Sequence, residues 1–152
     1  MDLFLASCQG LGFALAAGLV LGVVFPPVMP NWGAIAGVAP LGVIVAGAAL
    51  QGQDEPLWPA LPIGIVGAGL AATVARDVAA GAVRRERDQL TGAEVQAPSG
   101  VTVFVVVFAV VVAALSLIAP PASLVVLVAL GWLWLSRRRR EARKHEGLRV
   151  LR

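Results

Sequence analysis

One cysteine, one histidine and no tyrosine occur in 152 residues, and only 14% of the chain is charged, against about 25% in an ordinary soluble domain. A single cysteine excludes an intrachain disulfide framework. His145 stands beside Lys144 in a basic segment, with no cysteine or carboxylate cluster at ligand spacing, so no metal site is expected. Long uncharged stretches leave no acid, base or activated nucleophile deep in any apolar segment, so neither catalysis nor a cofactor is expected. Gly64-Ile65-Val66-Gly67-Ala68-Gly69 lacks the lysine of a phosphate-binding loop and the preceding strand of a dinucleotide fingerprint, and reads as helix packing.

What is there is apolar: 59% hydrophobic residues, with 17 glycines and 10 prolines besides. A chain of this length cannot hide so much apolar surface in one core, so the bilayer is its natural solvent. Leu3 to Gln53 contains no Asp, Glu, Lys or Arg, nor does Val95 to Ser136. Each stretch is long enough for two crossings of about 20 residues, and Pro56 to Ala75 supplies a fifth. Pro26, Pro27 and Pro30 in the first stretch, and Pro120-Pro121 in the second, remove backbone donors and mark the joints. The expectation is an all-α, polytopic transmembrane bundle of about five helices, near 3–25, 32–50, 57–83, 101–118 and 122–136. A polybasic tail over 137–152 follows. The fifth helix is short: 15 residues rise about 22 Å, less than the ~30 Å hydrocarbon core.

All twelve basic residues fall between Arg76 and Arg87 or between Arg137 and Arg152, whereas the loop at Gln51 to Glu55 carries only Asp54 and Glu55. The positive-inside rule then places the N-terminus outside and the C-terminus in the cytoplasm. Trp32, Trp58, Trp132 and Trp134 stand at helix ends, where interfacial aromatics belong. Leu5-Ala6-Ser7-Cys8 has the small-residue pattern that precedes a lipidated cysteine. Acidic Asp2 and the few residues before the motif argue against a signal peptide, and Cys8 reads as a buried thiol.

Helix association in lipid relies on close backbone approach at small residues. Ala14, Gly18 and Gly22 supply such a face on the first helix, Gly33 and Gly37 on the second, and Gly64, Ala68 and Ala72 on the third. A further row, Gly67, Ala71, Ala75 and Ala79, points to the third helix as the bundle centre, while the Val-rich fourth and the fifth face lipid. Gly18→Leu and Gly64→Leu are expected to disrupt assembly. Pro40-Leu41-Gly42 and Pro62-Ile63-Gly64 form a faint repeat on oppositely directed helices, the pattern from which transporter midplane sites are built.

Candidate solute or headgroup residues are Gln9, Pro40 and Arg76. Arg76 has two placements: snorkelling to the headgroups, which the helix length favours, or facing inward to bind an anionic headgroup. Gln9 reads as an interhelical hydrogen-bond donor or acceptor. Arg137, Arg138, Arg139 and Arg140 are juxtamembrane and attract anionic lipid at the cytoplasmic face. With no folded reader or stacking aromatics in that tail, nucleic acid is not an expected partner.

Leu5-Ala6-Ser7-Cys8-Gln9-Gly10-Leu11-Gly12 through Ala16-Ala17-Gly18, together with the Arg-rich helix end and Gly147-Leu148-Arg149, resembles small uncharacterised bacterial membrane proteins grouped as a domain of unknown function. The resemblance covers the two ends of the chain and implies no activity or site. The function expected is that of a non-enzymatic subunit, self-assembling or accessory to another membrane protein. The alternative is a small oligomeric transporter or channel for a neutral or lipid-like solute.

Overall fold

The computed structural model describes residues 2–24, 31–89 and 99–149, and within them every regular element is an α-helix. In chain order these are α1 (Leu3–Val24), α2 (Asn31–Gln51), α3 (Ala60–Gln89), α4 (Ser99–Ile118) and α5 (Ala122–Arg149). Three carry apolar stretches long enough to cross a membrane: Leu3–Val24, Ala60–Val83 and Gly100–Ile118. The apolar parts of the other two are shorter, Ile35–Gln51 and Ala122–Arg137. The breaker Pro26, Pro27 and Pro30, and the linker 91–98, lie outside the described residues.

Local chemistry sets the boundaries. The third helix begins at Ala60 rather than Leu57, because Pro59 bars the α conformation at Trp58, and Leu57 to Pro59 form a turn in which Ala60 N–H donates to Leu57 O at 3.0 Å. Pro62 costs nothing there, since first-turn amides have no intrahelical acceptor. Between α2 and α3 the chain reverses through Asp54, whose φ of 56° is left-handed, a conformation that Asp tolerates better than most residues. At the other hairpin, Pro120 and Pro121 make the turn that separates α4 from α5. The fifth helix does not stop at Ser136: α5 runs unbroken to Arg149, so the polybasic segment begins as a continuation of that helix. Arginine and lysine are good helix formers, and no proline or glycine interrupts Ser136 to Glu146.

The centre of the bundle is α1 rather than α3. Both touch all the other helices, but α1 packs extensively on α2, α3 and α4, whereas α3 does so only on α1 and α2. The physical reason is that α1 carries glycines on several sides, Gly10 towards α2, Gly12 towards α4 and Gly18 with Gly22 towards α3. A helix apolar all round is the one a bundle buries. The largest core cluster joins Leu11, Leu15 and Leu19 of α1 to Ala71 and Val74 of α3, Val105, Ala109 and Val112 of α4 and Leu130 of α5. By contrast only 22% of the apolar span of α4 is buried, and Val103, Phe104, Val107, Val110 and Val111 are exposed.

Candidate functional site

The close approaches lie within one chain. A Cβ on Gly22 would sit 2.6 Å from the Ala72 carbonyl oxygen, and one on Gly18 would overlap the Ala68 backbone. Gly64 likewise lies against the backbone of Val43, and a Cβ on Gly42 would meet Gly64 O at 2.6 Å. Ala68 is therefore the point at which three helices meet, touching Gly18 of α1 on one side and Gly42 of α2 on another. The glycine of α2 that carries this contact is Gly42; Gly37 is exposed and Gly33 half-exposed. Gly42 has Ala46 at i+4, and it is also marked by the faint repeat, whose matched glycines Gly42 and Gly64 pack against each other. The repeat marks a helix crossing. Gly12, also missed, lies against Ser116 of α4 and Ser123 of α5.

Polar side chains inside the bundle bond within it. Gln53 Nε2 donates to Gln9 Oε1 at 2.5 Å, tying α1 to the α2–α3 turn. Ser123 Oγ lies 2.6 Å from Cys8 O and 2.8 Å from Pro120 O, so its one proton is shared between α1 and the turn before α5. Ser116 Oγ donates to Ala113 O at 2.7 Å. Cys8 itself is buried. These contacts gather at the end of the bundle where α1 begins.

Arg76 is at the opposite end. It is 5% exposed, so it takes the inward placement rather than extending to the surface. The reason is the run Ala71, Ala72, Val74 and Ala75 immediately before it, which buries this turn of α3 under α1 and α2. Pro40 is exposed in the interior of α2. Because Gly18 faces Ala68 on parallel helices, Gln9 and Arg76 are separated by about 25 Å along the axis. Gln9, Pro40 and Arg76 therefore do not converge on one seat.

Two surface features remain. An open apolar groove of about 430 Å³ runs where α2 and α4 flank α1 without meeting, floored by Ala16 and Ala17 and walled by Leu41, Val45, Ala109 and Ala113. A depression of about 60 Å³ lies on the outer face of α5, lined by Trp132, Leu135, Ser136 and Arg139. The two tryptophans of α5 differ: Trp132 is 71% exposed, whereas Trp134 packs on the main core cluster. Arg137 and Arg139 are exposed; the side chains of Arg138 and Arg140 lie outside the described residues. Among the described residues no group of three or more His, Cys, Asp or Glu is assembled. No protein family, curated protein or solved structure matches the chain.

Proposed function

We propose that this chain is a multi-pass protein of the bacterial cytoplasmic membrane, N-terminus outside and C-terminus inside, that acts without chemistry of its own. Its role is that of a subunit assembling with itself or with another membrane protein. The alternation of the bundle supports five crossings. Contacts along α2 pair Ala46 with Gly10 and Gly42 with Gly64, so α2 returns through the slab that α1 and α3 cross. Serine 123 against Cys8 sets α5 alongside α1 in the same way. The Arg-rich ends of α3 and α5 then share one face, the cytoplasmic one by charge.

The observation that carries the assembly reading is the groove between α2 and α4. The small-residue faces of α1 and α3 are used inside the chain, so Gly18 and Gly64 leave nothing for a second subunit. The groove offers what remains: alanine at its floor and rim, branched residues on its walls, and an opening towards lipid. The test is the native mass of gently extracted protein. A defined homo- or hetero-oligomer is expected, and Ala113→Trp, which fills the groove, is expected to release the monomer with helix content unchanged. A wild-type monomer without a partner overturns the reading. An oligomer indifferent to Ala113→Trp removes the groove as its seat.

A further inference from the structure

We infer that the bundle is built for a hydrocarbon layer about 24 Å thick, short of the ~30 Å of an ordinary bilayer, and that it gathers short-chained phospholipids around itself. The inference rests on the reading that all five helices cross the membrane.

Contacts between helices fix the depth of each residue against α1. Gly18 and Gly22 lie on Ala68 and Ala72 of the parallel α3, so Ala60 comes level with Gly10, and Arg76 lies about 3 Å beyond Val24. Gly10 lies on Ala46 of the antiparallel α2, which brings Trp32 level with Val24. Ser123 bonds to Cys8 O at the start of α5, which brings Arg137 level with Gly22. Polar and interfacial groups then mark two planes. On the outer one stand the Gln9–Gln53 hydrogen bond, the exposed Trp58 just before α3, and the α4–α5 turn. On the cytoplasmic one stand Trp32, Arg76 and Arg137. From Gln9 the rise is about 22 Å to Val24 and about 25 Å to Arg76.

The faces turned to lipid have no greater height. Exposed large apolar side chains run from Val103 to Ile118 on α4, about 22 Å, and from Leu124 to Leu135 on α5, about 16 Å. Those of α3 are Leu61, Ile65 and Val66, all in its outer half. The apolar parts of α2 and α5, Ile35–Gln51 and Ala122–Arg137, each rise about 25 Å. The extra length of α1 stands above the outer plane, where the exposed Phe4 meets the headgroup layer.

A hydrophobic face shorter than the hydrocarbon is relieved by snorkelling side chains, by association or by a thinner layer. Arg76 is buried within the bundle, so it does not snorkel. Association through the groove between α2 and α4 leaves α5, which does not line that groove, in lipid. The exposed Trp32 and Trp58 hold both planes at the depth interfacial aromatics prefer, so the layer adjusts to the protein, and shorter chains meet that adjustment without compression.

The test uses the full-length protein in vesicles of phosphatidylcholine with brominated eighteen-carbon chains, which quench the exposed Trp32, Trp58 and Trp132. Unbrominated phosphatidylcholines with monounsaturated chains of fourteen to twenty-two carbons then compete for the protein surface, and recovered fluorescence ranks them. Fourteen-carbon chains are expected to compete about three-fold better than eighteen-carbon chains, and twenty-two-carbon chains worse than both. Competition indifferent to chain length, or strongest at eighteen carbons or more, would overturn the inference while the quenching itself upheld the membrane reading. Absence of quenching in every vesicle would remove that reading and the inference with it.

Discussion

At Gly18 the difference between a contact within the chain and one between chains becomes measurable. A leucine there must displace the Ala68 backbone, and overpacking of that kind costs upwards of about 3 kcal/mol. Gly18→Leu is therefore expected to lower the unfolding midpoint of the protein at every concentration, which corrects the expectation that it would merely separate subunits. Gly131 is the control: a Cβ there meets nothing within 4 Å, and Gly131→Ala should leave stability unchanged or raise it by up to about 1 kcal/mol. The Gln9–Gln53 hydrogen bond tests the polar end. A double-mutant cycle of Gln9→Ala and Gln53→Ala, followed by thermal unfolding, should give a coupling of about 0.6 kcal/mol, with about 1.7 kcal/mol as its ceiling. Zero coupling would mean that each amide is satisfied elsewhere.

Among elements, the sequence is most legible where charge or proline is decisive. Charge-free stretches and the Pro120-Pro121 joint locate five helices, and α1 and α4 end within a few residues of expectation. Legibility fails where a boundary depends on a helix former with no apolar signal. The arginines after Ser136 mark the end of the hydrophobic segment, yet they favour the helix, so α5 continues to Arg149. It fails again for packing: a small residue at i and i+4 shows that a helix can approach another, not which helix it meets. Gly10 and Gly12, with Ala14 and Ala16 at i+4, have that spacing on two sides of α1, yet nothing in it shows that they seat α2 and α4. For candidate sites the limit is of the same kind. Gln9 was legible as a hydrogen-bonding residue, but its partner, Gln53, lies in a turn whose path depends on the left-handed Asp54.

For the whole molecule, topology is the prediction with the plainest test. In a background lacking Cys8, Asp54→Cys is expected to react with a membrane-impermeant thiol reagent in intact cells, and Arg139→Cys only after lysis, both positions being exposed. The reverse pattern would invert the proposed orientation. The bundle's arrangement around α1 also has a consequence in time. The helix that packs extensively on α2, α3 and α4 is made before them, and its glycines are covered in turn, Gly10 by α2, Gly18 and Gly22 by α3, and Gly12 by α4. The hydrogen bond that Ser123 donates to Cys8 O can form only once α5 has begun. Assembly of the bundle therefore runs outwards from α1, each neighbour docking on a face that was waiting for it.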